Sequence, residues 1–254
     1  MTARPTSWDA PTYDATSGPQ QAWADDVLAR LEGIAPDARV LDVGCGTGRV
    51  TERLCALVPE GEVIALDASP AMASLARERL GARATVIEGD VLELALDAPV
   101  ELVVSTATLH WVRDHERLWR VLAAALVPGG RLEAQCGGAG NIARVHAVID
   151  EVSAQRAPQL VGWQPWNFAG PDETERRLAA AGFGQIRCGL VDRPTVPEDP
   201  QQFIRTSILP AHLERLAPGE RDAYSEAVVG RVELPLDYVR LNVSAVRVGA
   251  DAAC

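Results

Sequence analysis

The sequence predicts an α/β fold, a doubly wound and mostly parallel sheet with helices on both faces and a small helical cap. Short strand-like runs alternate with helical stretches between residues 40 and 135. Those runs are almost wholly apolar, as strands covered on both faces must be. The first of them opens the decapeptide V-L-D-V-G-C-G-T-G-R, Val40 to Arg49, which reads as strand, tight turn and helix start.

Taken in order, the first 18 residues are rich in Pro, Thr, Ser and Asp and read as an irregular arm. From Pro19 to Glu32, the residues Ala22, Trp23, Val27, Leu28 and Leu31 fall on helical spacing. Val40–Val43 is then a strand, Gly48–Leu57 a helix and Val63–Leu66 a strand. Pro70–Leu80 is a helix with proline at its start, where the missing N–H costs nothing. Ala84–Glu88 and Glu101–Ser105 are further strands, and Asp114–Leu126 is a helix stopped before Pro128-Gly129-Gly130. Arg131–Gln135 adds a strand. The rhythm then changes. Ile142–Arg156 is helical, a loop rich in Trp, Pro and Gly follows, Asp172–Ala181 is a helix and Gln185–Val191 a strand. Pro197–Val232 has helical periodicity broken at Pro210 and Pro218, and Leu236–Val248 alternates as a final strand. The expected organisation is an arm and helix over 1–36, a core over 37–138, cap insertions at 139–170 and 197–232, and remaining core elements at 171–196 and 233–254.

Composition narrows the partners. The net charge of −11 repels polyanions, so nucleic acid is not an expected ligand. All positive side chains are arginine, whose planar fork suits carboxylates and phosphates. No stretch reaches the roughly 20 apolar residues of a membrane span, and M-T-A-R-P-T-S-W-D-A carries no apolar signal region. A cytoplasmic protein without a membrane partner is expected. Cys45, Cys55, Cys136, Cys188 and Cys254 show no paired spacing, so neither disulfides nor a metal is predicted.

In the decapeptide, Gly44, Gly46 and Gly48 allow close backbone approach to a ligand, and the following helix start favours a negative group. The third glycine comes one residue too early for the dinucleotide fingerprint G-x-G-x-x-G. Acids recur after later strands, as Asp67 and as Asp90 in Gly89-Asp90-Val91, and S-T-A-T-L-H-W follows the fourth strand. This order resembles the class I S-adenosylmethionine-dependent methyltransferases across about residues 38–135. The resemblance implies a seven-stranded Rossmann-like sheet, with S-adenosylmethionine as cofactor and the N-terminal arm and helix covering it. It implies that Gly44, Gly46 and Gly48 line the methionine end and that Asp67 binds the ribose, with Asp42, at the end of the first strand, also among the cofactor-binding residues. Ala68 and Met72 would flank the adenine, Asp90 and Val91 its amine and face, and Thr106 the cofactor amino group. Tyr13 matches an N-terminal aromatic that reaches the methionine carboxylate.

T-L-H-W-V-R-D-H-E, Thr108 to Glu116, and L-x-x-A-G-F, Leu178 to Phe183, resemble the trans-aconitate methyltransferase branch. The implied activity is methyl transfer to a small anionic metabolite, with carboxylate O-methylation as the first version. C- or N-methylation, including that of an isoprenoid diphosphate, is the alternative, and a non-catalytic cofactor-binding module is the second. His110 and Trp111 follow the fourth strand as candidate catalytic residues, His110 as base or orienting donor and Trp111 as wall. Trp163, Trp166, Arg144 and Arg205 are candidate substrate contacts in the cap, and Arg156 is a further cap arginine. The acceptor and the oligomeric state are not read from the sequence.

Overall fold

Alternation along one buried strand sets the architecture of the computed structural model, which describes residues 8–249. Cys254 and the first residues of the arm lie outside the described part. In β1 (Arg39–Val43), Leu41 and Val43 point to one face of the sheet, and Val40 and Asp42 to the other. Leu41 and Val43 join Leu118, Trp119, Leu122, Leu132 and Leu178, all buried. Val40 joins Val63, Leu102 and Val104, under Val27, Leu31 and Leu54. Each such aliphatic side chain contributes roughly 1.5–3 kcal/mol by leaving water.

The sheet has seven strands in the order β3-β2-β1-β4-β5-β7-β6. The other strands are β2 (Glu62–Asp67), β3 (Thr85–Glu88), β4 (Val100–Thr106), β5 (Leu126–Gly137), β6 (Phe183–Asp192) and β7 (Val239–Arg247). The first five are parallel, and β7 runs antiparallel to both β5 and β6. Helices α3 (Arg49–Leu57), α4 (Pro70–Leu80), α5 (His115–Ala125) and α7 (Pro171–Ala180) alternate with the strands. The predicted Rossmann-like α/β sheet is therefore the observed one. The strand order reverses between β1 and β4, so the carboxyl ends of these strands open the crevice where such folds bind ligands.

The arm differs from its reading as irregular chain. Helix α1 (Ala10–Thr16) starts at Asp9, whose side chain accepts from the Thr12 N–H at 3.2 Å, with proline in the first turn. Helix α2 (Gly18–Leu28) follows directly. The final strand begins at Val239, three residues after the expected Leu236, because Leu236 pairs instead with Thr195.

The segments after β5 form a second core. Helix α6 (Ala143–Arg156) brings Val145, Ile149 and Val152 against Phe203, Leu209 and Tyr224. These last come from α8 (Pro200–Phe203), the residue before α9 (Pro210–Leu213), and α10 (Arg221–Val229). A π-helical turn, Ile204–Ile208, joins α8 to α9 and shifts the side-chain register in a way no simple periodicity announces. Among the described residues no helix is long and apolar enough to cross a membrane.

Candidate active site

The strand ends surround a cavity of about 640 Å³. That lies inside the range of roughly 300–1,000 Å³ typical of cofactor and substrate sites. Its floor is the glycine loop. Gly44, Gly46 and Gly48 all have positive φ, of 74°, 55° and 85°, a region closed to most side chains. Gly44 and Gly46 line the cavity. Gly48 lies behind them as the N-cap of α3, and a Cβ there would press on Leu80 at 3.1 Å.

Asp67, at the end of β2, ties this loop to the next one. Its Oδ2 accepts the Gly46 N–H and its Oδ1 the Ser69 N–H, each at 2.8 Å. Asp67 lines the cavity, and a carboxylate with about four lone-pair sites can serve more donors than these two. Ala68, Met72 and Val91 supply apolar wall beside it. Asp90 lines the same wall and accepts the Leu92 N–H at 3.0 Å. A charged acceptor beside apolar surface fits a nucleoside, with the diol on the acid and the base on the wall, so these residues fit the expected cofactor. Thr106 and Tyr13 also line the cavity, and burial followed by the nearby Asp67 charge pushes the Tyr13 phenol up to about 12.

Asp42 is a correction. Alternation turns it to the α3 face, fully buried and away from the cavity, where its Oδ2 accepts from the Thr51 hydroxyl at 2.7 Å. Burial lifts its carboxyl to about 7 despite that bond. Its place is the joint between β1 and α3, and it does not touch the cavity.

The acceptor-side candidates divide as well. Trp111 and Trp163 line the cavity. His110 does not, because its ring is buried between Trp111 and Phe168, with centroids 5.6 Å from each. Its Nδ1 accepts the Gly137 N–H at 3.3 Å, which puts the remaining proton on Nε2. Burial, then the charge of Arg240, holds the imidazole well below its ordinary value and therefore neutral. Trp166 is a core residue, stacked on Phe168 at 5.5 Å and on His146 at 4.9 Å. Arg144 bonds the Pro235 carbonyl and sits by Asp237, and Arg205 pairs with Asp222, so neither reaches the cavity. Arg156 is exposed at the end of α6. The cavity arginines are instead Arg49, Arg113 and Arg215.

Asp14 was missed by the sequence reading because its helix was. It accepts from Arg49 Nη2 at 2.6 Å, from Arg79 Nη2 at 3.0 Å and from the Thr47 hydroxyl. Burial alone would raise its carboxyl, but the bonds from Arg49, Arg79 and Thr47 hold it well below the ordinary carboxylate range. This latch draws Trp8, Tyr13 and Ser17 over the cavity. Because the folded carboxyl titrates below its ordinary value of 3.8, the latch is complete above that pH and is lost only as pH falls further. Asp14→Ala is expected to weaken cofactor binding about tenfold and to speed hydrogen exchange of the α1 amides, since charge-assisted bonds contribute about 1.5–3 kcal/mol each. Calorimetry and exchange mass spectrometry at neutral pH check both outcomes.

Ala107 was also missed. It follows β4 with φ of 56°, lines the cavity, and donates its N–H to the Gln135 carbonyl at 2.7 Å. Backbone strain of this kind concentrates where a fold positions a ligand. Arg240 is a third. It is 1% exposed on β7, over the Trp23 ring at 4.2 Å, and burial brings its guanidinium down to about 10, so it stays charged at neutral pH. Among the described residues no group of three or more His, Cys, Asp or Glu side chains is placed to hold a metal.

Residues 40–130 match the family model of a methyltransferase domain. A trans-aconitate 2-methyltransferase of Methylobacterium nodulans is 41% identical over 128 residues, which is 50% of this chain and 49% of that protein. The chain thus spans about half the length of that relative. An uncharacterized methyltransferase of Schizosaccharomyces pombe is 30% identical over 233 residues, covering 87% of each chain. Among solved structures, the phosphoethanolamine N-methyltransferase 2 of Haemonchus contortus, bound to S-adenosylhomocysteine, superposes with a TM-score of 0.65 at 17% identity. That superposition covers 94% of this chain and 57% of the other.

Proposed function

We propose that this chain, which belongs to the class I S-adenosylmethionine-dependent methyltransferases, methylates a carboxylate oxygen of a small anionic metabolite. One observation carries the reading. The described cavity wall contains aromatic rings and arginines but no histidine, and its carboxylates, Asp67, Asp90 and Asp114, each already accept backbone N–H groups. A hydroxyl, a carbon or an amine that arrives protonated needs a base to take its proton, whereas a carboxylate arrives ionised. Its ordinary pKa, near 4, leaves no proton to remove at neutral pH.

S-adenosylmethionine supplies, when bound, a methyl group on a sulfonium that an in-line nucleophile can take. The chain's residues provide position. Gly44 and Gly46 would take the methionine end, Asp67 the ribose diol, and Ala68, Met72, Asp90 and Val91 the adenine. Thr106 and Tyr13, which line the same cavity, would meet the methionine amino and carboxylate groups. Trp111 and Trp163 exclude water from the acceptor, and holding two reactants in register is where such an enzyme gains most of its rate. His110 supports this wall from behind. The relatives named as trans-aconitate 2-methyltransferases point the same way.

His110→Asn keeps an acceptor for the Gly137 N–H and removes the titratable ring. Turnover of a carboxylate acceptor is expected to stay within about 3-fold, with a flat profile between about pH 6 and 9. A loss of about 100-fold or more, or an ascending limb that the variant abolishes, would mean that His110 acts as a base. The reading would then shift to C- or N-methylation.

A further inference from the structure

We propose that Arg113 and Arg215 form an anion clamp at the cavity rim, which selects acceptors carrying a second carboxylate besides the one that is methylated. The inference rests on the carboxylate reading above and names the substrate class it implies.

Three arginines line the cavity, and they are not equivalent. Arg49 is consumed by the Asp14 latch. Arg113 and Arg215 make no ion pair with any described carboxylate, although most arginines of this chain do. Both are exposed, so they stand at the mouth and not in the floor. They come from distant parts of the chain, the loop after β4 and the segment after α9. They converge on consecutive residues. Arg113 Nη1 donates to the Gln164 carbonyl at 2.8 Å, and the Arg215 guanidinium carbon sits 4.1 Å over the Trp163 ring.

Each guanidinium is therefore held by a contact other than an ion pair, which leaves most of its donors open, while Asp114 beside Arg113 lines the same cavity. Stacking fixes the plane of Arg215 while its N–H edge remains available. A carbonyl uses one donor of Arg113 out of five. Two oriented forks at one rim suit a carboxylate, which accepts bidentately. The chain carries a net charge of −11, which would otherwise repel a polyanionic metabolite. A local pair of cations at the entrance offsets that field. Methyl transfer itself still occurs at the strand ends, and neither arginine is assigned to that step.

The test uses the full chain saturated with S-adenosylhomocysteine for binding, and with S-adenosylmethionine for turnover. Tricarballylate and trans-aconitate serve as tricarboxylate probes and crotonate as the monocarboxylate. In Arg113→Gln/Arg215→Gln, the preference in kcat/KM for tricarboxylate over monocarboxylate is expected to fall roughly 30-fold or more, through KM. Calorimetric binding of tricarballylate should weaken in parallel, and Arg215→Lys should restore part of it. Arg156→Gln, at an exposed site away from the cavity, is the control for a general loss of positive charge. Tricarballylate binding that is unchanged in the double variant, or equally weakened in the control, overturns the clamp. Esters formed from crotonate alone, with no tricarboxylate binding, overturn the clamp and leave carboxylate methylation standing. Arginine-dependent tricarboxylate binding without ester formation supports the clamp and overturns the reading on which its purpose rests.

Discussion

Asp67→Ala is expected to lose S-adenosylmethionine affinity by about 100-fold or more. A hydrogen bond to a charged group contributes about 1.5–3 kcal/mol, and the ribose diol offers two, so roughly 3–6 kcal/mol is at stake. The same carboxylate anchors the Gly46 and Ser69 amides, each at 2.8 Å, so its removal also frees the glycine loop. Asp67→Asn separates the two effects. An amide keeps one acceptor for the loop, turns a donor toward the other N–H and loses the charge, which predicts an affinity and a melting temperature between those of the parent and Asp67→Ala. Calorimetric titration of both variants reads the result. A dissociation constant within about 3-fold of the parent in Asp67→Ala would place the nucleoside elsewhere.

Gly44→Ala has the second-largest expected effect, and it falls on folding before it falls on binding. A Cβ at this position would lie 2.1 Å from Thr108 Cγ2 and 2.5 Å from its Cβ, on a backbone with φ of 74°. The left-handed backbone costs an alanine about 1–2 kcal/mol, and overpacking adds roughly 1–3 kcal/mol. For a chain of this size that is a drop in melting temperature of about 10 °C. Two further variants isolate the causes. Gly46→Ala meets no protein atom within 4 Å, so it should bear only the backbone cost. Gly44→Ala/Thr108→Gly removes the clash and should regain the steric part. If Gly44→Ala melts with the parent, the close approach of the loop to Thr108 is not what requires glycine there.

Much of the core was legible because its signals are local. Apolar runs of strand length, Pro70 at a helix start and glycines at a turn each report their own backbone, and these elements lie where the sequence puts them. Asp67 and Asp90 are legible for the same reason, since a strand end fixes where the next residue points. Asp42 shows where the reading stopped short. Two-residue alternation already sends it to the side of Val40, yet a place in a motif suggested the cavity.

The cap was less legible because its geometry is decided by tertiary packing. Trp163 and Trp166 are three residues apart, and only the fold tells the cavity wall from the core. Arg144 and Arg205 face acids and carbonyls outside the cavity, while Arg215, in the same predicted insertion as Arg205, reaches the rim after a π turn resets the register. Asp14 sits in a short helix whose stability comes from arginines on α3 and α4 that are far away in sequence. No local pattern announces such a partner.

The central claim is that the methyl group ends on a carboxylate oxygen. The most direct measurement incubates the full chain with methyl-labelled S-adenosylmethionine and a panel of mono-, di- and tricarboxylates, then treats the products with alkali. Saponification of a methyl ester releases its label as volatile methanol, whereas N- and C-methyl groups survive. The account predicts label that alkali releases as methanol. Alkali-stable label, or cofactor binding without transfer to any carboxylate of the panel, would contradict it.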